Sequence, residues 1–265
     1  MLELRNVAYR YAGYARTVLQ DVDLALADGE IVGVVGANEA GKSTLCLVAS
    51  GLAPGSIRGE LTGDVLIDGT SMTGRPLHEF STRVGIGFQN SATQLSGVTG
   101  SVFEEVALGP MNLGLRRRET VERAKSALAT LGIQHLAERE PRRLSGGQGQ
   151  LVVIASLLAM RPGHLVLDEP TAQLDPEGSR LVAEALRELA RTGTALLIAE
   201  HKTDLLDELC SRILVIDDGR IVLDGPTRDV FEDPGLADRG VDPPARVRLA
   251  QALAARGLDP AAVGA

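Results

Sequence analysis

Gly36-Ala37-Asn38-Glu39-Ala40-Gly41-Lys42-Ser43-Thr44 decides how the rest of the chain is read. The stretch fits the spacing G-x-x-x-x-G-K-[ST]. It follows Ile31-Val32-Gly33-Val34-Val35, an almost continuous apolar run that predicts a strand buried on both faces. A helical segment follows it. A glycine-rich turn in that setting points backbone amides at an anion, and the helix N-terminus adds positive potential. The stretch therefore reads as a phosphate-binding loop. Lys42 would reach the β- and γ-phosphates of a nucleotide, and Ser43 would give one hydroxyl to Mg²⁺. An ordinary glycine turn would account for the glycines, but not for the strand, the spacing and Lys-Ser together.

Outward from the loop, the patterning changes twice. Leu2 and Leu4, then Val22, Leu24 and Leu26, recur every second residue, which predicts half-buried antiparallel strands. Asp28-Gly29 reads as a hairpin-type turn. Val65 to Ile67 is a short strand ending at Asp68-Gly69, and Val84 to Phe88 is another, ending at Gln89. From Asn90 to about Met160 the pattern is helical, with Val121, Ala124, Leu128 and Leu131 on a 3.6-residue period. Buried strands then return at His164 to Leu167, Ala195 to Ala199 and Ile213 to Ile216, alternating with helical stretches such as Glu177 to Leu189. The fold class is α/β: a mostly parallel sheet, an N-terminal antiparallel β subdomain and an inserted α-helical subdomain over about residues 90–163. Residues 1–235 are expected to form the main domain, the one that carries the phosphate-binding loop. Residues 236–265 are a short C-terminal extension, with a break at Asp242-Pro243-Pro244 and a helix expected over Val247 to Ala255.

Composition narrows the function classes. The net charge is −8, which argues against nonspecific nucleic-acid binding. Aromatic content is 3% with no Trp, so base-stacking platforms are not expected either. Cys46 and Cys210 cannot make a disulfide framework and fit a reducing compartment. The N-terminal MLELRNVAYRY carries charge where a leader would be apolar. The longest apolar run, Leu151 to Met160, has 10 residues, against ~20 for a membrane span. A membrane role would come through a partner.

Two more motifs carry chemistry. Leu165-Val166-Leu167-Asp168-Glu169 delivers two carboxylates to the end of a strand. Asp168 can hold Mg²⁺ and Glu169 can polarise an attacking water. Alone, such a pair reads equally well as a solvated strand edge. Leu144-Ser145-Gly146-Gly147-Gln148 precedes an apolar helix and stands 23 residues before Asp168. Ser145 is a candidate N-cap, and the glycines permit close approach to a phosphate.

With LSGGQ between a phosphate loop and an Asp-Glu strand, the chain resembles the ATP-binding-cassette (ABC) ATPases, members of the P-loop NTPases, over about residues 1–235. The resemblance implies further roles, residue by residue. Tyr11 matches the aromatic that stacks on adenine. Gln89 matches the glutamine that senses Mg²⁺. Leu174-Asp175 matches the loop crossing a dimer interface. His201 matches the switch histidine at the γ-phosphate. It implies a composite site: Lys42, Ser43, Gln89, Asp168, Glu169 and His201 of one chain bind MgATP, and Ser145, Gly146, Gly147 and Gln148 of a second chain close over it. His78, His135 and His164 receive no role.

Gly87-Phe88-Gln89-Asn90 through Gln94, with Val102-Phe103-Glu104-Glu105-Val106-Ala107-Leu108-Gly109-Pro110 and Asn112-Leu113-Gly114, is similar to the ATPase subunits of energy-coupling-factor (ECF) importers of vitamins and transition-metal ions. That resemblance implies a second ATPase subunit, identical or different, an integral membrane scaffold and a small substrate-binding membrane subunit. It implies a peripheral position at the cytoplasmic face of the cell membrane. An importer fed by a solute-binding protein, and a non-transport ABC ATPase, are the alternatives. Four residues depart from the pattern: Glu39 for Gly, Ser91 for Pro, Gln173 for a small residue and Leu151 for Arg. Polar Asn90, Ser91, Thr93 and Gln94 are expected to be exposed; of the apolar cluster Val102, Phe103, Val106 and Leu108, some residues pack the helical subdomain onto the sheet, and the stretch as a whole is expected to floor a docking groove.

Overall fold

The computed structural model describes residues 1–256. Alternating burial builds its first sheet, with strand order β2-β1-β4-β5. It comprises β1 (Leu2–Tyr11), β2 (Leu19–Leu26), β4 (Gly59–Ile67) and β5 (Thr70–Ser71). All of its pairings are antiparallel. β4 starts well before the expected Val65. Its first half has a single apolar residue, Leu61, too few for an alternating signal, yet it pairs along β1 as far as Tyr11 opposite Gly59.

The second sheet has the order β10-β9-β3-β8-β7-β6. Its strands are β3 (Ile31–Val35), β6 (Val84–Gly87), β7 (His164–Asp168), β8 (Ala195–Ala199), β9 (Arg212–Asp217) and β10 (Arg220–Pro226). All neighbours are parallel except β9 and β10. β2 and β3 lie in different sheets, so Asp28-Gly29 is not a hairpin turn. It hands the chain from one sheet to the other. A two-residue turn signal is local and does not say which strands it joins.

The helices cover both faces of the parallel sheet. α1 (Lys42–Ala49) follows the phosphate loop, with short α2 (Leu52–Gly55) and α3 (Leu77–Ser81) beyond it. Between β6 and β7 come α4 (Val102–Asn112), α5 (Arg117–Thr130) and α6 (Gly146–Met160), packed on one another. Then follow α7 (Pro176–Arg191), α8 (Thr203–Leu209), α9 (Thr227–Phe231) and α10 (Ala245–Ala254). Strand alternation divides the core. Leu165 and Leu167 join the helical block on one face, and Val166 joins α1 and the antiparallel sheet on the other. Cys46 and Cys210 are buried and unpaired, with burial pushing both thiols up.

Between Asp233 and residue 256 the chain is packed onto the domain. Arg246 grips Asp207 of α8 with two bonds of 2.6 and 2.9 Å, and Val247 enters the core. The C-terminal part of the expected extension, residues 257–265, lies outside the described residues. Among the described residues no helix is long and apolar enough to cross a membrane.

Candidate nucleotide site

Parallel strands deliver their C-terminal ends to one edge, and the chemistry-bearing residues gather there. Gly36 leaves β3 so close to β9 that a Cβ would stand 2.2 Å from the Ile216 carbonyl oxygen, so only glycine fits. Gly41 caps α1 with φ +115°. Lys42 is 6% exposed, and its Nζ donates to the carbonyls of Gly36 and Ala37 at 2.8 Å each. Burial lowers the pKa of this ammonium, partly offset by Glu169 and Asp168.

Register brings the acidic pair beside it. Asp168 pairs with Ala199 of β8, and the Glu169 amide donates to the Ala199 carbonyl at 2.8 Å. Burial raises the Asp168 carboxyl pKa, while the Ser43 hydroxyl and Lys42 pull it back. Glu169 adopts φ +49°, an uncommon backbone state for glutamate. Gln89 Nε2 donates to its Oε2 at 2.7 Å, and His201 Nε2 lies 3.3 Å from its Oε1. Ser43, Asp168 and Gln89 offer hard oxygen donors, the set that suits Mg²⁺.

A cavity of about 460 Å³ opens over this cluster, lined by Asn38, Glu39, Lys42, Ser43, Glu169 and His201 among others. Tyr11 is not in its lining. The Tyr11 hydroxyl is hydrogen-bonded to Thr44 Oγ1 at 2.9 Å, and its ring packs edge-on to Tyr9. Tyr14, 65% exposed, and Arg16 line the cavity instead. Sequence reasoning missed both: the spacing of three nearby tyrosines does not choose among them, and Arg16 carries no motif of its own.

Ser145, Gly146, Gly147 and Gln148 are not at this cavity. They start α6 with a capping box: Ser145 Oγ accepts from the Gln148 amide at 3.3 Å, and Gln148 Oε1 from the Ser145 amide at 3.2 Å. Asp175 is likewise apart from it, capping α7 by accepting from the Gly178 amide at 2.7 Å. Gly36, Ala37 and Ala40 belong to the loop without lining the cavity, and Asp168 and Gln89 stand beside its lining residues rather than in the lining.

The departures have local explanations. Glu39 holds φ +63°, a conformation that glycine adopts without strain, and its side chain is exposed at the cavity. Gln173 reaches the Gln89 carbonyl at 3.5 Å and crowds Gly146, whose ideal Cβ would lie 2.8 Å from Gln173 Oε1. Leu151 packs against the core, where an apolar residue suits. Ser91 is buried at 3%, against the expectation of exposure. Gln94 is spent on the end of β6, donating to the Ile86 carbonyl at 2.7 Å and accepting from the Phe88 amide at 2.9 Å. Val102 and Val106 are core residues, not a groove floor. Phe103, Leu108 and Met111 line the open groove between α4 and α5. Of the other histidines, His164 is 3% exposed with neither ring nitrogen hydrogen-bonded, and it lies 3.9 Å from Asp28.

Residues 19–172 match the family model described as ABC transporter. A Pyrococcus abyssi protein named as an ATP-binding protein of an ABC transporter is 41% identical over 265 residues, spanning 99% of this chain and 94% of that one. The chain belongs to the ABC transporter family, as one of its ATPases.

This ABC ATPase is also similar to a Geobacter sulfurreducens protein of the same naming, 41% identical over 89% of this chain and 90% of that one. Among solved structures it is similar to CbiO1 of Clostridium perfringens, described as part of the ABC transporter complex cbiONQ. There the TM-score is 0.77 at 29% identity, over 97% of this chain and 98% of that one. It is similar as well to the dimeric cassette MJ0796 in a post-hydrolysis state bound to ADP and Pi, with a TM-score of 0.76 at 26% identity, over 86% and 99%. The ABC ATPase binds ATP, hydrolyses it and powers transport.

Proposed function

We propose that this ABC ATPase drives import of a micronutrient, a vitamin or a transition-metal ion, through an ECF-type membrane transporter. The observation that carries the reading is the likeness to CbiO1, a component of a multi-subunit transporter, along nearly the whole of both chains. The stretch Glu104-Glu105-Val106-Ala107-Leu108-Gly109-Pro110 supports it. Its partners are a second ATPase subunit, a membrane scaffold and a small substrate-binding membrane subunit, and it sits at the cytoplasmic face of the cell membrane.

The mechanism follows from the residues. Loop amides and Lys42 hold the β- and γ-phosphates, exchanging the carbonyls of Gly36 and Ala37 for phosphate oxygens. Ser43, Asp168 and Gln89 would hold Mg²⁺, which would supply positive charge against the charge building on the phosphates. Glu169 accepts the proton of the attacking water, and His201, in contact with it, steadies the γ-phosphate. Ser145 to Gln148 complete the site of a paired chain, a reading supported by their lying outside their own chain's cavity. The apolar groove at Phe103, Leu108 and Met111 receives a helix of the scaffold.

The test is purification of the intact membrane complex with identification of its subunits and bound small molecule. A small substrate-binding membrane protein is expected. Recovery with a solute-binding protein instead would overturn the ECF reading. In a Cys46/Cys210-free background, cysteines at exposed Thr93 or Ser96 are expected to crosslink to the scaffold, and one at buried Ser91 is not.

A further inference from the structure

Glu200 is a buried carboxylate that the mechanism above does not use. It is 2% exposed and immediately precedes His201. A charge at that depth persists only when hydrogen bonds replace its water. Its Oε2 accepts from the Thr171 hydroxyl at 2.7 Å and from the Thr171 amide at 3.4 Å. Its Oε1 accepts from the amides of His201 at 2.9 Å and Lys202 at 3.4 Å. Lys202 returns the contact, its Nζ donating to the Thr171 carbonyl at 2.8 Å and lying 3.5 Å from Ser179 Oγ on α7. Thr171 is 0% exposed. Neither Glu200 nor Thr171 lines the nucleotide cavity, so Glu200 is not a second base.

The two segments so joined are the ones that carry the hydrolytic pair. Glu169 stands two residues before Thr171, and His201 one residue after Glu200. Their side chains meet at 3.3 Å, yet both are partly or largely open to solvent, and an exposed pair of that kind is weakly fixed by itself. The buried carboxylate beneath them supplies the fixed geometry, because hydrogen bonds to an ionised group are stronger and more directional than neutral ones. The same tie holds the start of the segment Thr171 to Asp175 that leads into α7.

The geometry points to Glu200 as a positioning residue. With Thr171 it forms a buried strap that sets His201 against Glu169 and fixes the entry to the Asp175 loop. The inference rests on the proposed roles of Glu169 and His201 in hydrolysis, and its test separates the two.

In the full chain, Thr171→Val removes the hydroxyl without changing the side-chain outline. It is expected to lower kcat by about 10- to 100-fold, the usual cost of losing a supporting residue behind a reacting centre. The Kd for MgATP is expected to stay within about 2-fold, since the loop and Lys42 are untouched. Thr171→Ser, which keeps the hydroxyl, is expected to restore most of kcat. Hydrogen exchange at the amides of Thr171, His201 and Lys202 is expected to accelerate in Glu200→Gln. Parental kcat in Thr171→Val, failure of Thr171→Ser to rescue, or unchanged exchange in Glu200→Gln each overturns the strap. Parental turnover in Glu169→Gln would instead overturn the hydrolytic assignment, and the exchange measurement would still decide whether the strap exists.

Discussion

Gln89 and Glu169 stand 80 residues apart in sequence and meet through an Nε2–Oε2 hydrogen bond of 2.7 Å. One leaves the end of β6, the other the end of β7, and the parallel pairing of those strands brings them level. On its other side Glu169 contacts His201 at 3.3 Å. The Glu169 carboxylate is therefore held from two directions by side chains at neighbouring strand ends.

Glu169→Gln removes the proposed base and keeps the shape of the side chain. Nucleotide binding is expected to remain near parental, while turnover falls by ~10²–10⁴-fold. Equilibrium binding of a fluorescent ATP analogue and steady-state phosphate release on the assembled complex check both halves. Turnover at the parental rate would refute the assignment.

Association is expected to follow nucleotide state. In sedimentation, Glu169→Gln should pair on addition of MgATP, with itself or with a sister ATPase, and not without it. The charge of −8 on each chain makes pairing weaker at low ionic strength. Adding Ser145→Arg should abolish the pairing, because Ser145 caps the helix start that is proposed to face the partner's γ-phosphate, and the larger cation removes that cap. Pairing that ignores ATP would sink the composite site.

Glu39 combines a strained backbone with a carboxylate beside the phosphate cavity. Glu39→Gly removes both, and a Kd for ATP tighter by about 3- to 10-fold is expected from the lost repulsion. Glu39→Gln separates the causes, as it removes the charge and keeps φ positive. Titration calorimetry on the three proteins decides. Equal affinities would show that the carboxylate turns away from the nucleotide.

His164 predicts a pH dependence of stability. Burial lowers its pKa below 6.5, with the Met1 ammonium acting in the same direction and Asp68 and Asp28 opposing. The unfolded chain then binds the proton more readily than the folded one, so stability is full above about pH 6.5 and declines as pH falls towards the depressed folded value. Thermal melts of the parent should lose midpoint below that pH more steeply than those of His164→Leu. The variant should also gain about 1 kcal/mol, because neither buried ring nitrogen has a hydrogen-bond partner. Parallel pH curves would refute the account.

The phosphate loop, the Asp168-Glu169 strand end and the Ser145 cap were determined by sequence alone. Each depends on neighbours within a few residues: a buried run, a glycine spacing, a serine before a helix. The β/α alternation was legible for the same reason, since burial on both faces writes an apolar run into β3 and β8. Tertiary structure decided the rest. Asp28-Gly29 joins two sheets because sheet membership depends on which distant strand supplies hydrogen bonds. The polar half of β4 is a strand only because β1 lies beside it. Tyr14 lines the cavity, whereas the Tyr11 hydroxyl is held by Thr44, 33 residues on, a contact that local spacing does not announce. Glu200 reads in sequence as one more acidic residue before a histidine. It becomes a buried clamp because sheet register sets β8 beside β7 and so brings Thr171 within 2.7 Å. A hydrogen bond between residues far apart in the chain is fixed by register and burial, and neither is written in the local sequence at its two ends.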